Sequence, residues 1–293
     1  MTLGDYQRPT ELQEALRLRA SGSWKILAGG TDHYPNAAHQ QAWGQSQSPN
    51  ILDITGIDEL EGISETDAEF RIGATTKWSA FADPALPSLF EALATASLAV
   101  GGQQIQNQGT IAGNLCNASP AADGVPPLLV MDADIELASE RGLRRVPLGS
   151  FILGNRKTAL ESDEILTAVL VPKSRSDETR TTFLKLGARR YLVISIVMVA
   201  GRIDLNESGV IESAALAVGA CSSVAQRLPR LEKKLIGRSV SEDPSALVVE
   251  TDLSDLSPIS DPRADDEYRR DVARTLVQRT LQHLVSPPKE AAA

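Results

Sequence analysis

The sequence predicts a protein of mixed helices and strands arranged as two domains. Short apolar runs bounded by Gly, Pro, Asn and Ser alternate with stretches of helical period. A polar, charged stretch, Pro172-Lys-Ser-Arg-Ser-Asp-Glu-Thr-Arg180, interrupts that alternation and marks a boundary. Beyond it, three successive strand patterns lead into a helical tail. A chain of 293 residues is long for one core and comfortable for two domains of about 100–200 residues each. The domains expected are 1–173 and 178–285, with 286–293 as a tail.

The opening residues read as strand, helix, strand. Thr10-Glu-Leu-Gln13 fits a capping box, and Leu12, Ala15 and Leu16 mark one helical face. Ser21-Gly22-Ser23 stops that helix. Trp24-Lys-Ile-Leu-Ala28 suits a buried strand and runs into Gly29-Gly30-Thr31-Asp32. Residues 35–50 read as a polar loop and Ile51–Ile54 as a strand. Further strands are expected near 61–65, 69–74, 134–138, 143–147 and 164–171. Thr76 is placed to cap a short helix, and Pro87 to Leu98 reads as a helix. Residues 101–127 are rich in Gly, Gln, Asn and Pro and read as irregular; Pro127–Met131 reads as a short apolar helix or turn. In the second domain, 181–186, 193–203 and 210–219 read as strands, with Asn206-Glu-Ser-Gly209 as a hairpin turn. Tyr268, Val272, Leu276 and Leu284 mark the apolar face of a final helix, and Arg269-Arg270 with Glu267 and Asp271 a solvated charged face.

Composition narrows the function. A net charge of −9 argues against nucleic acid or an anionic membrane surface as partner. No apolar run reaches the roughly 18 residues of a membrane span. Met1-Thr-Leu-Gly-Asp-Tyr6 lacks the pattern of a secretory signal, and two distant cysteines, Cys116 and Cys221, fit a reducing cytoplasm. An iron–sulfur cluster takes more Cys ligands than this chain has. Three histidines, His33, His39 and His283, give no metal-site spacing.

Two segments carry binding chemistry. In Ile26-Leu27-Ala28-Gly29-Gly30-Thr31-Asp32-His33, a strand delivers two glycines that permit positive φ and close approach. Successive backbone N–H groups there can converge on an anion. Thr31 adds a hydroxyl donor, and Asp32 is expected to accept backbone N–H bonds and hold the loop. The same residues also fit an ordinary strand-to-loop turn. The second segment runs Gly109-Thr110-Ile111-Ala112-Gly113-Asn114 and on to Asp123, with small residues, hydroxyls and amides and no charge before Asp123. That composition suits a loop pressed against a flat polar ligand, with backbone N–H groups and Asn114 meeting a diphosphate or ring edge and Asp123 accepting from sugar hydroxyls; the bland alternative is a polar surface loop. Neither segment is a dinucleotide-binding Gly-x-Gly-x-x-Gly or a Gly-x-x-x-x-Gly-Lys-Ser/Thr loop.

Taken together, the two segments resemble those of the medium, FAD-binding subunits of the xanthine dehydrogenase and carbon monoxide dehydrogenase family. The resemblance rests on Ala28–Asp32, Gln104–Asn114, Asn117–Asp123, Pro127–Ala133, Glu164–Leu166, Phe183–Lys185 and Asp261–Arg270, in matching order over nearly the whole chain. It implies an α+β fold of the vanillyl-alcohol-oxidase type, with two FAD-binding subdomains (about 1–57 and 58–173) and a C-terminal domain of a three-stranded sheet with helices. It implies that residues 26–33 and Thr110, Ile111, Ala112, Gly113 and Asn114 clasp the FAD diphosphate. It also places Gly101, Asp123, Leu166 and Lys185 among the cofactor contacts, with Lys185 near the isoalloxazine. Ala112 stands where the family has glycine, at a cost of about 1 kcal/mol if positive φ is needed there. His33 replaces Leu or Phe, and Leu192 and Val193 stand where an acidic residue follows the Arg pair.

Such a subunit has no catalytic triad or metal site of its own, because the flavin is the reactive part. The resemblance implies a large molybdopterin-binding subunit that oxidises substrate and a small subunit with two two-iron–two-sulfur clusters. The flavin subunit passes electrons to NAD, a quinone, oxygen or another carrier, in a complex expected to be a dimer of heterotrimers. Two other readings are a flavin-free accessory or assembly protein of the same fold, to which Ala112 points, and a stand-alone flavin oxidase, against which the missing acid–base residues argue. Cys116 reads as a small packing residue, and His33 as a loop histidine filling an apolar position.

Overall fold

The computed structural model describes residues 4–43, 49–174, 176 and 178–286. Most of the expected tail, residues 287–293, and residues 175 and 177 of the expected boundary lie outside the described residues. The chain forms two compact units that do not follow its linear order. The first gathers the described residues of 1–80, 102–118 and 132–173; the second gathers 81–101, 119–131 and 174–286.

In the first unit, β1 (Tyr6–Gln7), β2 (Trp24–Leu27) and β3 (Asn50–Asp53) form a parallel sheet in the order β1-β3-β2. Helix α1 (Leu12–Ser21) joins the first two strands and buries Ala15 and Leu16 against Leu52, Ile54 and Leu60. The capping box expected from Thr10 and Gln13 does not form: the chain stays extended through Glu11, which becomes the N-cap without a side-chain bond. Residues 44–48 of the expected polar loop lie outside the described residues, and its residues 35–42, with His33 and Tyr34 before them, form helix α2 (His33–Ala42) instead. Its described residues are almost all exposed, so no apolar period betrays it in the sequence.

The second sheet of this unit has the order β4-β5-β10-β6-β7, all antiparallel. Its strands are β4 (Ile63–Glu65), β5 (Glu69–Gly73), β6 (Asp134–Ser139), β7 (Gly142–Pro147) and β10 (Ile165–Pro172). The central strand β10 is buried from Ile165 to Val171, which explains an apolar run interrupted only by Thr167, whose hydroxyl donates to Glu136 Oε1 at 2.8 Å. Thr76, expected to cap a helix, instead exchanges hydrogen bonds with the Gly62 backbone. Between β5 and β6 the stretch read as irregular contributes α4 (Gln103–Gln106) and α5 (Ile111–Asn117) to this unit. Helix α7 (Leu148–Phe151) and the hairpin of β8 (Ile152–Gly154) and β9 (Lys157–Thr158) complete it.

The second unit is built on β11 (Glu178–Leu186), β12 (Val197–Leu205), β13 (Ile211–Gly219) and a two-residue β14 (Gln226–Arg227), in that order. Three long strands are therefore joined by a short fourth. Gly209 takes positive φ in the turn between β12 and β13, as Asn206–Gly209 predicts. Helices α3 (Glu91–Ala99), α6 (Val125–Val130), α8 (Pro229–Leu235) and α9 (Asp266–Val285) pack on this sheet. Gly201 lets α9 approach β12, since a Cβ there would stand 2.7 Å from Thr280 Cγ2 and 2.8 Å from Leu284 Cδ1.

The buried face of α9 is Arg269, Ala273, Leu276, Val277, Thr280, Leu281 and Leu284. Leu276 and Leu284 are buried as expected and Val272 packs partly buried against the same core, but Tyr268 is exposed and Arg269, read as a solvated charge, is buried. The inward position is polar because it meets backbone carbonyls rather than apolar side chains.

Candidate functional site

In the first unit, β2 carries Ile26 and Leu27 within the parallel sheet and releases Ala28 to His33 at its carboxyl end. Gly29 lies flat against the second segment. A Cβ on it would stand 2.1 Å from the Gln108 carbonyl oxygen and 2.8 Å from Gly109 Cα. Gly30 has φ +71°, the left-handed region where glycine is favoured. Among the described residues, the backbone N–H groups from Gly29 to His33 have no protein acceptor. Asp32 does not accept the backbone N–H bonds expected of it; its Oδ1 accepts from Asn117 Nδ2 at 3.1 Å. His33 opens α2 rather than a loop, and burial first, then nearby Lys25, lowers its pKa.

The second segment begins at Thr110, the N-cap of α5, whose Oγ1 accepts from Gly113 N–H at 3.1 Å. Ile111 N–H donates to Thr76 O, Ala112 N–H to Ala74 O and Asn114 N–H to Thr110 O. These donors are therefore occupied within the protein. What the segment offers a ligand is its small residues and the amide of Asn114, whose Oδ1 is buried without a partner. Ala112 sits inside α5 and is not among the positive-φ residues, so its Cβ imposes no left-handed strain. Leu166 is buried in β10 at a bulge, and α5 packs on the same strand. Cys116 is exposed.

A cavity of about 220 Å³ opens at the carboxyl ends of the three parallel strands. Arg8 follows β1, Thr55 follows β3 and Ala28 and Gly29 follow β2; Glu61, Thr75, Lys77, Gln108 and Thr110 complete the wall. That end of a parallel sheet is where loops diverge and ligands enter. Sequence reading missed Arg8, Thr55 and Lys77, because they are lone polar residues brought to the cavity only by strand order. A diphosphate fits the loop beside this cavity: among the described residues the N–H groups of Gly29 to His33 have no protein acceptor, the loop is backed against Gly109, and Arg8 and Lys77 outnumber Glu61 in the lining. The buried Asn114 Oδ1, an acceptor outside this cavity, suits a hydroxyl or N–H donor instead.

Gly101, Asp123 and Lys185 belong to the second unit. Gly101 has φ +54°. Asp123 is buried, and both its oxygens are engaged: Lys185 Nζ donates to Oδ2 at 2.5 Å and Ser195 Oγ donates to Oδ1 at 2.5 Å. Lys185 also donates to the Ala99 carbonyl at 3.1 Å. It is thus neither an exposed strand lysine nor a free cation. Burial pushes the Asp123 carboxyl pKa up, against the opposing pull of Lys185 and the Ser195 hydroxyl. Ser195 escaped sequence reading because nothing near it in the chain marks it. A double-mutant cycle on Asp123→Asn and Lys185→Met, read by denaturant unfolding, is expected to give a coupling of about 1–3 kcal/mol. Additive single effects would contradict a buried pair. Among the described residues, no group of His, Cys, Asp and Glu is arranged to hold a metal ion, and no helix is long and apolar enough to cross a membrane.

Residues 2–174 match the family described as FAD binding domain in molybdopterin dehydrogenase, and residues 182–284 match the CO dehydrogenase flavoprotein C-terminal domain. The xanthine dehydrogenase FAD-binding subunit of Escherichia coli O157:H7 is 30% identical over 284 residues, covering 96% of each chain. The nicotinate dehydrogenase FAD-subunit of Eubacterium barkeri is 33% identical over 217 residues, covering 72% of this chain and 71% of its own. A carbon monoxide dehydrogenase structure from Hydrogenophaga pseudoflava superposes with a TM-score of 0.85 at 25% identity, over 97% of each chain. With both domain families matched in order along nearly its whole length, the chain belongs to the FAD-binding subunits of the xanthine dehydrogenase and carbon monoxide dehydrogenase family of molybdenum hydroxylases.

Proposed function

We propose that this chain holds one FAD and relays electrons from iron–sulfur clusters of a partner subunit to an external acceptor. The observation that carries the reading is the Gly29–His33 loop, whose unbonded N–H groups stand on a backbone contact with Gln108 and Gly109. Bound FAD supplies reversible electron uptake, and the protein positions it. Gly29, Gly30 and Thr31 would hold the diphosphate through N–H groups, and Asn114 Oδ1 would accept from a hydroxyl or ring N–H of the cofactor. Leu166 and the Asp123–Lys185 pair are proposed cofactor contacts on the strength of the family resemblance.

The reading of a flavin-free accessory protein drew on Ala112. Because Ala112 has ordinary helical backbone, that departure no longer favours it. The proposed partners are a large molybdopterin-binding subunit and a small subunit carrying two two-iron–two-sulfur clusters, and the proposed assembly is a dimer of heterotrimers. Purified protein is expected to be yellow, to release stoichiometric FAD on denaturation and to co-purify with these two subunits. Folded protein that stays colourless after reconstitution with FAD would overturn the cofactor reading. Flavin-loaded protein that purifies without partners and oxidises a substrate alone would overturn the relay.

A further inference from the structure

We propose that Arg156 is a positioning residue that, through Asn117, fixes Asp32 and with it the Gly29–His33 loop; this rests on the reading of that loop as the FAD diphosphate site. Arg156 lies in the turn between β8 and β9 with φ +59°. The left-handed region penalises any residue that carries a Cβ, and glycine would occupy it without that penalty. Its backbone N–H donates to the Ala118 carbonyl at 2.9 Å, and Ala118, the C-cap of α5, is itself left-handed at φ +46°. Two strained residues therefore meet at the end of α5 opposite Thr110.

From this turn the Arg156 guanidinium donates to Asn117 Oδ1, and Asn117 Nδ2 donates to Asp32 Oδ1 at 3.1 Å. The Asn117 amide is thus held between a cation at its oxygen and an anion at its nitrogen, so both bonds are charge-assisted and its orientation is fixed. The three side chains connect the two motif segments at a second point, apart from the contact of Gly29 with Gln108 and Gly109. Both side-chain hydrogen bonds, Arg156 to Asn117 and Asn117 to Asp32, are exposed to solvent, where polar pairs add little to stability. A strained arginine whose contacts scarcely stabilise the fold is best explained by what those contacts hold in place.

The separating experiment is Arg156→Gly in the full-length protein. It removes the side chain, relieves the left-handed strain and keeps the N–H bond to Ala118. The melting temperature is expected to stay unchanged or rise, while the FAD dissociation constant, from fluorescence titration of flavin-depleted protein, rises about tenfold. Asp32→Asn is expected to weaken FAD similarly, and the double variant to bind no more weakly than either single one. Arg156→Lys should recover part of the loss. Wild-type affinity in Arg156→Gly, a loss that merely follows a lowered melting temperature, or additive losses in the double variant would overturn the positioning role. Wild-type protein that takes up no FAD would overturn the cofactor reading on which the role depends.

Discussion

Gly29→Ala is expected to abolish flavin retention. The added Cβ would sit 2.1 Å from the Gln108 carbonyl oxygen and 2.8 Å from both Gln108 C and Gly109 Cα. All three are backbone atoms, so no side-chain rotation relieves the overlap, and one strand of the contact must move. Overpacking of this kind costs about 1–3 kcal/mol. The larger effect falls on binding, because the displaced loop carries the N–H groups proposed to hold the diphosphate. Separation by more than an ångström misaligns several hydrogen bonds together, and a loss of FAD affinity of about 100-fold or more is expected, equivalent to about 2.7 kcal/mol. Gly113→Ala supplies a graded comparison. Its Cβ would meet Thr110 Oγ1 at 2.9 Å, a hydroxyl that already accepts the Gly113 N–H. That substitution disturbs one cap worth about 1 kcal/mol and should weaken FAD only modestly. Equal flavin content in wild type, Gly29→Ala and Gly113→Ala would contradict the close-packed cradle.

How much of this was legible in the sequence depends on how local the determining physics is. Strands β10 and β12 were readable because each is a mainly apolar run buried along its length between two neighbouring strands. Strand β2, expected to be a buried strand, is an edge strand with only Leu27 buried, and was readable because its apolar run ends at the glycine pair. The glycine pair was readable because close approach and positive φ leave few alternatives to glycine. Helix α2 was not, since its residues face solvent and its polar composition matches a loop. Residues 111–117 read as irregular because Gly113 and Asn114 are poor helix formers, yet α5 is started by Thr110 and held by the carbonyls of Ala74 and Thr76. Ala112 became interpretable only when its helical backbone was known. The pairing of Asp123 with Lys185, 62 positions apart, depends on tertiary placement, and Ser195 enters solely through it. The family resemblance pointed to Asp123 and Lys185 separately but not to their mutual ion pair.

Arg269→Met should produce the largest loss of stability in the second unit. Arg269 is 2% exposed, and its guanidinium donates to Ile196 O at 2.5 Å, Ala220 O at 3.1 Å and Asp261 Oδ1 at 2.8 Å. Methionine fills much of the volume but leaves both carbonyls without that donor, and Ala220 is already left-handed at φ +62°. Removing one partner from a buried pair costs about 3–5 kcal/mol, or a fall in melting temperature of about 10 °C for the affected transition. The damage should reach the Asp123 cluster as well, because Ile196 follows the serine that donates to Asp123. The acid limb of the stability profile supplies an independent check through Asp261. Burial there raises the carboxyl pKa, but hydrogen bonds from Arg263 and the charges of Arg269 and Arg263 outweigh it and hold the group well below the usual carboxylate range. Its folded pKa is therefore depressed relative to about 3.9 in the unfolded chain. The stabilisation is complete above that unfolded value and is lost as pH falls from it through the folded pKa. Asp261→Asn should accordingly be less stable than wild type at pH 7, and the gap should narrow as pH drops below about 4. Urea unfolding at pH 7 and pH 3 measures both effects. An Arg269→Met variant within about 1 kcal/mol of wild type, or an Asp261→Asn deficit that does not change with pH, would show that the last helix is not anchored by this buried cation.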